Sequence, residues 1–87
     1  MMNEKQIELS RMLFDQLKQK FPEIELVSIT ESAENPNSIW VNIIMPYDED
    51  REIELREMAA EISTDILLDY GYHILTISAS KEEKSIA

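Results

Sequence analysis

Ser38-Ile39-Trp40-Val41-Asn42-Ile43-Ile44-Met45, followed by Pro46-Tyr47-Asp48-Glu49-Asp50, is the stretch that decides the fold. Its first eight residues alternate, with Ile39, Val41, Ile43 and Met45 on one side and Trp40, Asn42 and Ile44 on the other. That is the period of a β-strand, and the β-branched types suit one. Pro46 closes the strand. Asp48, Glu49, Asp50 and Glu52 then crowd a helix start, where the helix dipole favours negative charge. A strand turning directly into a helix makes this an α/β connection.

Working back from Ser38, the run Ser32 to Asn37 is a turn cluster with Pro36 at its centre. Before it, residues 24–31 predict another strand, with Val27 and Ile29 alternating against Leu26, Ser28 and Thr30. Two strands across about seven turn residues predict a hairpin. Residues 4–20 predict a helix. Ile7, Leu9, Leu13, Phe14, Leu17 and Phe21 share its apolar face, and Arg11 and Asp15 are spaced to pair. Pro22 ends it, because the residue before a proline is pushed out of helical geometry.

Working forward, the second helix runs to about Asp69. Leu55, Met58, Ala59, Ile62, Ile66 and Tyr70 line its main apolar face. Gly71, the only glycine of the chain, stands where a helix C-terminus takes a left-handed residue. Tyr72 to Ser80 alternates once more, with Leu75, Ile77 and Ala79 on one side and Tyr72, Ile74, Thr76 and Ser78 on the other. The tail 81–87 is expected to fray, leaving an ordered core over about 4–80 of a single domain spanning 1–87.

The expected architecture is an α+β two-layer sandwich of order α-β-β-α-β. Strands 1 and 2 pair antiparallel. The crossover through the second helix makes strands 2 and 3 parallel, giving a three-stranded mixed sheet. Both helices then cover one sheet face and leave the other open. Trp40 and Ile44 are expected on that open face with Ile74, Thr76 and Asn42. A contiguous aromatic and aliphatic patch marks an interface, so self-association or docking of a protein partner is expected there.

Charge narrows the partners. Eighteen acids against eight Lys and Arg leave a net charge of −10 in 87 residues. No basic patch is segregated, so nucleic acid and anionic membrane are excluded as partners. A basic protein partner fits. Asp50, Glu54, Glu57, Glu61 and Asp65 form an acidic face on the second helix, into which Leu68 projects; read as a docking surface, this face has Leu68 as its anchor. An inhibitor or antitoxin-like partner of a basic protein is one concrete form. Its plainer reading is a solvated face with Leu68 tucked under the helix end.

The chain has no cysteine, which removes disulfides, thiolate metal sites and a cysteine nucleophile. No apolar run reaches the roughly 20 residues that span a bilayer, and no signal region opens the chain. A cytoplasmic location is expected. One glycine allows neither GxGxxG nor GxxxxGK[ST], so no nucleotide cofactor is expected. Asp48-Glu49-Asp50 suggests a hard-cation site. An EF-hand loop starting at Asp48 would need glycine at Ile53 and an acid at Ala59, so helix capping accounts for these acids better. His73, the only histidine, stands near Ser63, Thr64 and Ser78, none of them in a nucleophile motif. The leading expectation is a non-enzymatic interaction module with no catalytic, cofactor or metal residues. The alternatives are a small ligand-binding or enzymatic domain using His73, and a metal-responsive module using Asp48 and Asp50.

The pattern of a strand over Ile39–Met45, an acidic helix start, an Ala-containing helix and His73 opening the last strand covers residues 22–80. It is similar to the cytoplasmic domain of cation-diffusion facilitators, which implies a dimerising domain. The element order also resembles the type II KH and BolA-like folds, without the GxxG loop and basic groove that RNA binding by a KH domain needs. These resemblances concern element order and carry no residue roles across.

Overall fold

The computed structural model describes residues 2–33, 35 and 37–79. Helix α1 spans Glu4–Lys20, strand β1 Glu25–Glu31, strand β2 Ser38–Ile44, helix α2 Glu49–Tyr70 and strand β3 His73–Ser78. The predicted order and element types are all present.

Each helix is bounded by local chemistry. Asn3 caps α1: its Oδ1 accepts the Gln6 N–H at 2.8 Å, and Gln6 Oε1 accepts the Asn3 N–H at 2.9 Å. This reciprocal capping box satisfies two otherwise orphaned donors. At the other end Lys18 Nζ donates to the carbonyls of Pro22 and Ile24, at 2.8 and 2.6 Å. Those bonds fold the chain back toward β1. Asp48 caps α2, its Oδ1 accepting from the backbone N–H of Asp50 and Arg51. Gly71 ends α2 in the left-handed region at φ 77°. A Cβ there would meet nothing within 4 Å. The backbone conformation alone asks for glycine, with no crowding to add to it.

The sheet has the order β1-β2-β3. β1 pairs antiparallel to β2, with Ile29 opposite Val41 and Thr30 opposite Trp40. A bulge between Leu26 and Ser28 sets Val27 aside from the register. β3 runs parallel to β2, with Ile39 beside Ile74, Trp40 beside Leu75 and Val41 beside Thr76.

Both helices pack on one face of this sheet. Leu9, Leu13 and Leu17 recur at four-residue spacing on α1 and are buried against Ile39, Val41 and Ile43 of β2 and Leu55, Ala59 and Ile66 of α2. Phe21 and Ile24 close the core below the turn between α1 and β1. A fully buried leucine contributes about 1.5–3 kcal/mol by leaving water, and so small a domain depends on each of them. The Arg11–Asp15 pair that the spacing suggests is not formed; Lys5–Glu8, Arg56–Glu52 and Arg51–Glu23 are.

The face assignment of β3 is corrected. Ile74 is fully buried in the core, beside Ile39. Thr76, beside Val41, also faces the helices. Side chains of neighbouring strands in register share a face. The residues beside Trp40 and Asn42 on the opposite face are therefore Leu75 and Ile77.

Candidate functional site

The uncovered sheet face is built from three parallel rows. β2 supplies Ser38, Trp40, Asn42 and Ile44 by alternation. β3 supplies His73, Leu75 and Ile77, and β1 supplies Thr30 and Ser28. Among the described residues no helix or strand packs on this side. The face is divided: its β1 half is hydroxyl-rich and its β3 half is aliphatic, with Trp40 between them. Trp40, Leu75 and Ile77 are each partly exposed.

Asn42 joins the halves. Its Nδ2 donates to Ser28 Oγ and Thr30 Oγ1, both at 3.1 Å. Those bonds hold the amide flat against β1 and fix the polar side of the face. Ile44, expected here as an exposed contact, is only 6 % exposed, beside Glu25 of β1. So of Trp40, Ile44, Ile74 and Thr76, the structure leaves Trp40 available, buries Ile44, and moves Ile74 and Thr76 to the other side. It brings in Leu75 and Ile77 instead.

His73 and Ser38 meet at the end of this face, with Nδ1 3.0 Å from Ser38 Oγ. Ser38 is only 5 % exposed. Among the described residues no carboxylate hydrogen-bonds the other ring nitrogen. A nucleophilic pair needs an accessible hydroxyl and a base oriented by a further group; Ser38 is buried, and the group that orients His73 here is Ser38 itself. It ties the first residue of β2 to the first residue of β3.

The acids of α2 lie where the periodicity places them. Asp50, Glu54, Glu57, Glu61 and Asp65 are all exposed. Leu68 is 78 % exposed among them, so it is not tucked under the helix end. Tyr47, just before the helix, is 82 % exposed. Among the described residues no group of three or more His, Cys, Asp or Glu side chains could hold a metal ion. Asp48 is occupied as a helix cap.

A charge clamp lies away from this face. Arg51, in the first turn of α2, grips Glu23 with two hydrogen bonds, Nη2 to Oε1 measuring 3.0 Å. Nη2 also donates to the Lys20 carbonyl, and the guanidinium lies 4.9 Å from the Phe21 ring centre. The hydrogen bonds from Arg51 hold the Glu23 carboxyl below its ordinary value, and Glu23 in turn raises Arg51. The clamp joins α2 to the turn between α1 and β1.

The clefts are shallow. One, about 410 Å³, is lined by Ala60, Glu61, Thr64 and Asp65, all on the outside of one helix. Another, about 350 Å³, runs between α1 and β1 along Met2, Ile7, Leu26, Val27 and Ile29, with Arg11 at its rim. A third, about 160 Å³, lies along the outer edge of β3, between Leu75 and Thr76 and the Arg56, Ala59, Ala60 and Ser63 side of α2. None gathers titratable groups around an enclosed space.

Compared with known proteins, the chain matches no family model, no curated protein and no solved structure. No helix among the described residues is long and apolar enough to cross a membrane.

Proposed function

We propose that this chain is a non-enzymatic protein-interaction module that holds a protein partner on the uncovered face of its sheet. The observation that carries this reading is the row of Trp40, Leu75 and Ile77, partly exposed on a face against which no described element packs. An aromatic anchor flanked by aliphatic side chains supplies the apolar centre of an interface, and the Asn42–Ser28–Thr30 row supplies a polar rim. The proposed setting is the cytoplasm, which a cysteine-free chain suits.

The test is affinity capture from the native host with three baits: wild type, Trp40→Glu and Leu68→Glu. A partner bound by wild type and by Leu68→Glu, but lost with Trp40→Glu, supports the sheet face. A partner retained equally by all three removes it.

A second reading rests on Leu68. A leucine 78 % exposed at the C-terminal end of a row of five acids suits a basic partner carrying one apolar pocket. In the same experiment this reading predicts loss with Leu68→Glu and retention with Trp40→Glu.

A further inference from the structure

The side of the molecule where β3 meets α2 differs from every other. The chain carries −10, yet between Ile53 and Leu67 one row of α2 has no acid, with Glu49 one turn before it. At the spacing of helical neighbours, Ile53, Arg56, Ala60, Ser63, Thr64 and Leu67 lie along one flank. Ile53 is 51 % and Leu67 43 % exposed, and Ala60 is exposed between them. The one cation in the row, Arg56, is neutralised by Glu52 at 3.3 Å.

This row borders an unpaired strand edge. β3 is an outer strand of the sheet. The Ala79 N–H donates inward to the Ile43 carbonyl. By alternation Leu75 and Ile77 aim their backbone groups at β2, and Ile74, Thr76 and Ser78 aim theirs outward. No described strand takes up those outward groups. The two edges of the sheet are treated differently. β1 has Glu25 and Glu31 at its ends and a bulge between Leu26 and Ser28, which are common guards against edge pairing. β3, His-Ile-Leu-Thr-Ile-Ser, carries no Asp, Glu, Lys, Arg, Pro or bulge.

The row is also self-complementary. Laid antiparallel on a second copy and centred on Ala60, Ile53 meets Leu67 of that copy, Arg56 meets Thr64, Ala60 meets Ala60, and Ser63 meets the exposed Glu57. Bulk falls at the two ends and the smallest side chain at the crossing, which allows a close helix approach. Ala60 and Ser63 share one cleft with Leu75 and Thr76. The middle of the helix row and the middle of the strand edge are therefore level. A single two-fold axis can pass through both, as a closed isologous dimer requires.

We infer that the chain pairs with a second copy of itself through the outer edge of β3 and the Ile53–Leu67 flank of α2, joining two three-stranded sheets into one of six strands. Antiparallel pairing satisfies the outward groups of Ile74, Thr76 and Ser78; Glu54 and Asp65 lie on the far side of α2, and Glu57 sits at the rim of the junction opposite Ser63. The inference rests on reading the chain as an interaction module and names a second copy as one partner; the Trp40 face stays free for another.

Sedimentation equilibrium of the full chain tests it. Wild type is expected at twice the 10.2 kDa chain mass. Ala60→Glu is expected at the monomer mass with unchanged circular dichroism, and Leu68→Glu at the dimer mass. Ala60→Cys gives a second readout in a chain without cysteines. Mild oxidation is expected to link it into a disulfide dimer, and Leu68→Cys to remain unlinked. A monomeric wild type overturns the inference, as does a dimer that survives Ala60→Glu or breaks only with Trp40→Glu. A monomeric wild type that still captures a partner through Trp40 sinks the dimer and leaves the interaction reading standing.

Discussion

Thr76 carries a hydroxyl that the core does not use. Its Oγ1 is buried and has no hydrogen-bond partner among the described residues. An unsatisfied buried polar group costs about 1–3 kcal/mol, whereas an apolar group of the same shape costs nothing of that kind. Valine has that shape and suits a strand. Thr76→Val is expected to raise stability by about 1 kcal/mol, seen as a Tm higher by about 4–8 °C. A lower Tm would show that the hydroxyl is held by a bond. The same residue shows where the sequence runs short. In β3, Ile74 stands in one alternation and Leu75 and Ile77 in the other, so both faces read as apolar. Periodicity could not choose between them. The register with β2 chooses, by setting Ile74 beside Ile39 in the core. In β2 the run Ile39, Val41, Ile43 and Met45 is unbroken and Asn42 interrupts the other alternation, so the core side is legible there. The Asn3–Gln6 capping box was legible as Asn and Gln three residues apart, but lay outside the pattern of apolar residues.

At the scale of elements, boundaries were readable to within a residue or two because chemistry marks them. Pro22, Pro46, Asp48 and Gly71 are punctuation that acts through backbone geometry. The clamp between elements was not legible, since Glu23 and Arg51 lie 28 residues apart. It brings the start of α2 to the turn between α1 and β1, so it shapes how the two helices share one face. Its contribution depends on pH with a definite sign. Hydrogen bonding to Arg51 lowers the Glu23 pKa in the folded chain from an ordinary value of 4.5. The stabilisation is therefore complete above that ordinary value and is lost as pH falls through the lowered, folded one. Arg51 stays charged throughout. Urea unfolding of wild type and Glu23→Gln from pH 7 to pH 3 checks this. Wild type is expected to be the more stable at pH 7, with the gap closing in acid. A gap that stays constant with pH would mean the carboxylate charge plays no part.

For the whole molecule, ionic strength separates the surfaces more cleanly than any substitution. Two chains that each carry −10 repel one another as they approach, even when the junction itself holds few acids. The Debye length falls from about 10 Å at 0.1 M salt to about 3 Å at 1 M. Screening removes this repulsion and leaves apolar contact and backbone pairing nearly untouched. Dimerisation through β3 and α2 is therefore expected to tighten as sodium chloride rises from 50 mM to 0.5 M, read as a falling Kd in sedimentation. Docking of a basic partner on Asp50, Glu54, Glu57, Glu61 and Asp65 obeys the opposite rule, because attraction between unlike charges is what salt weakens. A complex that loosens with salt uses the acidic face of α2, and a self-association that loosens with salt contradicts a junction held by apolar contact and backbone pairing. The separation follows from where the fold puts its charge: along the outer side of one helix, with the flank beside the open strand edge left neutral.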